Sequence, residues 1–204
     1  MEVHESQPDQ PIINIVGEKV ALGPRRRDLI PTYLRWINDF EVTRTLSIRM
    51  APTTREAEEA WYEGITKREN EIGFTIYEKS TLQPIGNAGL YDVDYFHRTA
   101  KFAIMIGEKE CWGKGYGTET ARLMLDYGFT VLGLHSIMLY AYSYNERGIR
   151  AYTRAGFKEV GRLRECHRLA GIAYDVLLMD CLATEFQSPL LHRLLPASPG
   201  GEEM

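Results

Sequence analysis

The sequence predicts an α+β domain, a mixed but mostly antiparallel sheet flanked by helices, and three patterns predict it. Between Ile72 and Gly107 three strand-length runs follow one another across short turns, as in an antiparallel meander. A fourth run, Ile137-Met138-Leu139-Tyr140-Ala141-Tyr142, lies beyond a stretch with Ala121, Met124, Leu125, Gly128 and Leu132 at helical spacing. The strands on either side of that helix are therefore expected to be parallel, with the helix crossing over. Two further helical stretches come early, behind a single strand.

Taken in order, residues 1–11 are polar and acidic and read as a flexible leader. Lys19-Val20-Ala21-Leu22-Gly23 reads as a strand that stops at Pro24. Asp28 stands where an N-cap belongs, with Pro31 in the first turn and Tyr33, Leu34, Trp36 and Ile37 on an apolar side, and Asn38-Asp39 end that helix. Pro52-Thr53-Thr54 start a second helix over residues 55–70, with Ala57, Ala60, Trp61 and Ile65 as its inward stripe.

Phe74, Ile76 and Tyr77 mark the first strand of the meander, residues 80–84 a turn, and residues 85–93 the returning strand. Gly86 and Gly89 within it imply a bulge or a close backbone approach. Residues 92–99 connect to the strand over residues 100–107. After the crossover helix, ended by Gly133, comes the strand of residues 137–142. Asn145 then caps a shorter helix closed by Gly156, a strand starts at Phe157, and a hairpin runs from Leu163 through Ala170-Gly171 to Met179. Residues 187–204, with three prolines and two glycines, read as a C-terminal tail in which Leu190-Leu191 and Leu194-Leu195 are able to dock.

A chain of 204 residues suits one domain plus short ends, and 44% apolar with 25% charged residues is ordinary for a globular protein. Its net charge of −4, with Arg25-Arg26-Arg27 as the only basic triplet, argues against nucleic acid as a partner. No apolar run approaches the roughly 20 residues that span a bilayer, so no membrane partner is expected. Cys111, Cys166 and Cys181 are odd in number and widely spaced, which indicates neither a disulfide framework nor a metal site and suits a reducing cytoplasm. Oligomeric state stays open, with a homodimer as the default.

The chemistry concentrates where Phe102-Ala103-Ile104-Met105-Ile106-Gly107 runs into Cys111-Trp112-Gly113-Lys114-Gly115-Tyr116-Gly117-Thr118 and then the crossover helix. The first N–H groups of a helix lack internal acceptors and sit at the positive end of its dipole, a ready site for phosphate. Gly113, Gly115 and Gly117 let an anion approach the backbone, and Lys114 adds charge; glycines that simply break the chain give the same pattern. The spacing is neither GxGxxG nor GxxxxGK[ST], which weakens a nucleotide-binding protein as an explanation.

In this order, and with four segments in particular, the chain resembles the GNAT superfamily of acyl-CoA N-acyltransferases. The segments are Trp36-Ile37-Asn38-Asp39, Ile85-Gly86-Asn87-Ala88-Gly89-Leu90, Trp112-Gly113-Lys114-Gly115-Tyr116-Gly117-Thr118-Glu119, and residues 145–157 from Asn145 to Phe157. Within it the chain looks closest to the branch of ribosomal-protein N-terminal acetyltransferases and spermidine N-acetyltransferases. The resemblance implies an N-acetyltransferase domain over residues 12–186, a GNAT-like sheet with a splayed parallel strand pair, and acetyl-CoA as co-substrate with no metal.

The resemblance also implies that the pyrophosphate lies on the amides of Trp112, Gly113, Lys114, Gly115, Tyr116, Gly117 and Thr118. Ile104, Met105 and Ile106, lacking ladder partners at the splay, would bond the pantetheine amides and thioester oxygen, with a backbone N–H near Met105 holding the developing oxyanion. If Asn145 caps its helix, Tyr152 lies two turns in on nearly the same face, and the resemblance gives Tyr152 the role of general acid and Asn145 a contact near the thioester. Several relatives carry Glu at the position of Lys101, so the general base stays open among Asp92, Asp94, His97, Glu41 and water. Lys101 is instead suited to an anionic group on the substrate, and Glu56, Glu58, Glu59, Glu63 and Glu69 either attract a cationic amine or form a solvated helix face.

The expected activity is acetyl transfer by direct attack of a primary amine, whether a polyamine, another small amine or a protein N-terminus. The alternative is a CoA-binding regulatory module with the same fold and little turnover.

Overall fold

In the computed structural model, which describes residues 10–48 and 50–195, the strands form one sheet. They are β1 (Ile15–Val16), β2 (Val20–Pro24), β3 (Ile72–Glu78), β4 (Pro84–Asp94), β5 (Thr99–Ile106), β6 (Ser136–Tyr142), β7 (Lys158–Leu169) and β8 (Ile172–Leu182). Their spatial order is β1-β2-β3-β4-β5-β6-β8-β7. Every neighbouring pair is antiparallel except β5 and β6. That parallel pair is held only at Thr99↔Ser136, Ala100↔Ile137 and Lys101↔Met138, and beyond Lys101 the two strands share no further register. The sheet is therefore mixed and mostly antiparallel, and it opens between its two halves at the ends of β5 and β6.

Helices α1 (Ile30–Ile37), α2 (Phe40–Thr43) and α3 (Arg55–Ile65) lie between β2 and β3; α4 (Tyr116–Asp126) and α5 (Glu146–Ala155) bracket β6; α6 (Leu191–Leu194) follows β8. The main core joins one face of the sheet to α4 and α5 through Leu22, Ile76, Leu90, Phe102, Met124, Leu125, Ile137, Leu139 and Phe157. On the opposite face, Ile30, Tyr33 and Trp36 of α1 gather with Tyr62 and Met105. Met105 thus packs on one side of the sheet while Ile104 and Ile106 pack on the other, as the period of two demands.

Several local expectations shift. Asp28 sits in a 3₁₀ turn and pairs with Arg26 at 2.8 Å, so α1 starts later, behind Leu29, with no side-chain cap and with Pro31 in its first turn. Thr54 does cap α3, accepting from Ala57 N at 3.3 Å, but the helix ends at Ile65, five residues early. Its buried side is Glu58 and Ile65 with the half-buried Tyr62; Ala57, Ala60 and Trp61 are exposed. Tyr62 sets that rotation by donating its hydroxyl to Arg25 O at 3.1 Å. The close approach expected at Gly86 is present, for a Cβ there would stand 2.1 Å from Met105 O.

At the far end, Asp126 is wholly buried and accepts from Thr130 Oγ1 at 2.9 Å and from the amides of Leu190 and Leu191 at 3.0 and 2.9 Å. Leu191 is buried in the main core while Leu194 and Leu195 stay exposed. The leader of residues 1–9 and residues 196–204 of the tail lie outside the described residues.

Candidate active site

A cleft of about 260 Å³ enters the sheet where β5 and β6 part. Ile104, Met105, Ile106, Trp112, Gly113, Gly115, Tyr116, Gly117, Thr118, Asn145 and Tyr152 all line it. Of the residues expected to hold the cofactor or act as the acid, Lys114 alone stays off the lining; it is exposed, and its carbonyl accepts from Lys19 Nζ at 3.2 Å, and none of the candidate bases lines the cleft.

The loop ahead of α4 is shaped for an anion. Gly113 and Gly115 have φ of +78° and +89°, a region costly to other residues, and nothing lies within 4 Å of a Cβ built on Gly113. Gly115 is the N-cap of α4, so the unsatisfied amides of that helix's first turn look into the cleft. Glu119 accepts from the backbone of Lys19 at 3.0 and 3.1 Å and of Glu18, which pins the β1–β2 hairpin beside this loop.

On β5 the alternation of backbone groups is fixed by Gly107 N, which donates to Ile85 O at 2.8 Å, and by Met105 O, which is turned toward Gly86. The N–H and C=O of Met105 therefore face β4, and those of Ile104 and Ile106 face the opening. The N–H groups that face the splay near Met105 thus belong to its two neighbours, Ile104 and Ile106. Ile106 O is already taken by Trp112 Nε1 at 2.8 Å.

Asn145 caps α5 by accepting from Gly148 N at 3.0 Å. Two turns on, Tyr152 sets its ring edge-on to Phe102 and Phe157, with centroids 6.3 and 6.2 Å away. Burial pushes its phenol up to about 12, against a smaller pull in the other direction from Arg147. The hydroxyl thus keeps its proton throughout the physiological range, the state required of a donor.

Three cleft residues were not anticipated. Arg147, Arg150 and Arg154 line it from α5, and the guanidinium of Arg147 lies 3.8 Å from the centroid of the Trp112 ring. Their spacing within one short helix was visible in the sequence.

The candidate bases are all engaged. Asp92 pairs with Lys101 at 2.8 Å, Glu41 with Lys109 at 2.6 Å, and Asp94 accepts from His97 N at 2.7 Å. His97 stacks edge-on against the exposed Phe96 at the β4–β5 turn. Lys101, held by Asp92, is not a free cation for an anionic substrate group.

A second, larger chamber of about 920 Å³ lies on the α1–α3 side of the sheet and shares Leu46, Ile104 and Met105 with the cleft. Glu58, Trp61, Glu71, Asn87 and Asp92 are among its walls, and sequence reasoning did not find it. Among the described residues no group of three or more His, Cys, Asp or Glu side chains is placed to hold a metal ion, and no helix is long and apolar enough to cross a membrane.

Comparison with known proteins gives the following. A family model described as the acetyltransferase (GNAT) domain matches residues 20–158. The spermidine N(1)-acetyltransferase of Vibrio cholerae serotype O1 is 34% identical over 111 residues, 54% of this chain and 64% of that protein, so the match spans less than two thirds of that relative. The human alpha/beta-tubulin-N-acetyltransferase 9 is 30% identical over 158 residues, 72% of this chain and 75% of that protein. The crystal structure of the Vibrio cholerae spermidine N-acetyltransferase with CoA and spermine superposes with a TM-score of 0.76 at 26% identity, covering 82% of this chain and 97% of that one.

Proposed function

Because the chain belongs to the GNAT acetyltransferase family, we propose that it transfers an acetyl group from acetyl-CoA to a primary amine by direct attack within a ternary complex. The observation that carries this is the meeting, in one cleft, of a glycine-cradled helix N-terminus, an unpaired stretch of strand edge and a protonated phenol.

The chain's groups fit acetyl-CoA in that order. The amides from Trp112 to Thr118 receive the pyrophosphate, helped by arginines of α5. The edge groups of Ile104 and Ile106 receive amide-bearing pantetheine as an added strand would, and bring the thioester to the opening beside Tyr152. Solved relatives that bind CoA support this use of the fold.

In the reaction the amine nitrogen bonds to the acyl carbon while the carbon–sulfur bond breaks. The Ile104 or Ile106 N–H stabilises negative charge on the acyl oxygen, an effect typically worth 10²–10³ in rate. The Tyr152 hydroxyl, raised to about 12 and so a weaker acid than a free thiol of pKa about 8.5, acts as general acid by hydrogen-bonding the departing thiolate in the transition state, where the nearby charge of Arg147 eases partial transfer of its proton. The amine sheds its proton to solvent or to a carboxylate on the acceptor side.

Names of relatives support acceptors of two kinds, a polyamine and a protein. Three free cysteines and the absence of a membrane-crossing helix among the described residues suit the cytoplasm, and a homodimer is the assembly proposed by default. The test is free-thiol release from acetyl-CoA with a panel of spermidine, aminoglycosides and short peptides, the products read by mass. Release with at least one amine is expected; CoA binding without thiol release from any of them replaces the enzyme with a regulatory module.

A further inference from the structure

The chamber on the α1–α3 face has a pattern of charge that acetyl transfer alone does not explain. Arg25, Glu58, Arg68, Glu71 and Asp92 line it. Glu71 is shared by Arg25 at 3.0 Å and Arg68 at 3.2 Å, and Asp92 is held by Lys101 at 2.8 Å. Glu58 is the exception. It is 6% exposed, and its side chain makes no hydrogen bond or ion pair with any described residue.

A second acceptor stands in the same wall. Asn87 is 9% exposed, and its Oδ1 is buried without a partner. The β4–β5 register sets Asn87 directly opposite Met105, one of the three residues common to chamber and cleft, so this amide lies on the chamber face at the level of the sheet opening. Buried acceptors without donors are costly, and a buried carboxylate without a counter-charge more so.

We infer that Glu58 and Asn87 receive the ammonium group of the acceptor, and that the chamber selects amines carrying a single positive charge. This rests on the acetyl-transfer reading and names its substrate class. A protonated amine supplies three N–H donors and one charge, which is what the two groups lack. Burial raises the Glu58 carboxyl above its ordinary range, and an arriving cation draws it back toward the charged form, so binding and ionisation favour each other.

The single charge follows from the rest of the lining. Arg25 and Arg68 are the chamber's own cations, and the Trp61 face, the kind of surface that holds a cation, is occupied by the Arg25 guanidinium, 5.3 Å from the ring centroid. A second or third ammonium on a polyamine meets like charge there. A peptide α-amine is followed instead by a neutral carbonyl, and Arg25 Nε, buried and without an acceptor, is a donor of the matching kind.

The test is steady-state kinetics of the full chain at saturating acetyl-CoA, with tetraalanine amide (one charge) and spermidine (three) as acceptors. The peptide is expected to exceed spermidine in kcat/KM by about tenfold or more. Glu58→Gln should raise the peptide KM by about tenfold or more with a smaller change in kcat, and Glu58→Asp should fall between. An unchanged acetyl-CoA dissociation constant, by calorimetry, shows that both variants are folded. Spermidine matching or beating the peptide, or a Glu58→Gln KM equal to wild type, overturns this inference while leaving acetyl transfer intact. Wild-type protein that releases no thiol with any amine removes both.

Discussion

The Arg147 guanidinium lies over the Trp112 ring, 3.8 Å from its centroid, and joins α5 to the loop ahead of α4 across the mouth of the cleft. Burial and the nearby charge of Arg44 together lower its pKa, but an arginine keeps its charge at any working pH. Arg147→Ala and Trp112→Ala should each weaken acetyl-CoA binding by about tenfold, and the double variant by less than the product, since one contact is lost twice. Trp112→Phe keeps the ring but frees Ile106 O, and should fall between wild type and Trp112→Ala. Calorimetry with CoA on the wild type and the four variants decides this.

Tyr152→Phe should lower kcat about 10²-fold or less and leave acetyl-CoA affinity nearly unchanged, because a thiolate departs tolerably without help. The sign of the pKa shift adds a second outcome. A phenol raised to about 12 is protonated at every lower pH, so the donor form is not lost as the medium turns alkaline. Any fall of wild-type kcat below about pH 10 must then persist in Tyr152→Phe; disappearance of that limb in the variant would assign it to Tyr152 and contradict the burial argument.

Alanine at Gly113 or Gly115 forces a side chain into positive φ at a cost of about 1–2 kcal/mol and places a methyl in the phosphate cradle. Both variants should bind CoA about tenfold more weakly. Gly107→Ala is the contrast, since its Cβ would fall 2.2 Å from the Trp36 ring. It should lower the melting temperature without a specific loss of CoA affinity in the folded fraction, as thermal scans with and without ligand would report.

How much of this was legible beforehand depends on chain distance. The meander, the crossover unit and the glycine loop are each written in consecutive residues, and Tyr152 sits at a fixed step from its cap, so local periodicity was enough for them. The chamber is not written that way: Glu58 comes from α3, Asn87 from β4 and Arg25 from the end of β2, and only the register of the sheet and the rotation of α3 unite them. That rotation was misjudged because alanines and Trp61 looked like the apolar side, whereas the Tyr62 hydroxyl bond to Arg25 turns Glu58 inward. Asp28 misled for a similar reason, having Arg26 two residues away as a better partner than a helix amide.

Because β5 and β6 are tied at three positions and then part, a ligand bridging the opening binds the folded chain alone. CoA at 100 times its dissociation constant should stabilise the protein by about 2.7 kcal/mol, which for a domain of this size is a rise of several degrees in Tm. A scan in excess CoA showing no shift would mean that CoA does not bind the folded chain in preference to the unfolded one.

The carboxylate of Asp126 sits at the heart of the molecule, and two of its three donors arrive from Leu190 and Leu191, far along the chain beyond β8. A chain ending at Phe186 would keep every wall of the cleft and chamber, yet it would strand a charge in an oily room and forfeit Leu191 as well. The C-terminal turn is therefore a cork: pulling it disturbs the vessel and not merely its neck.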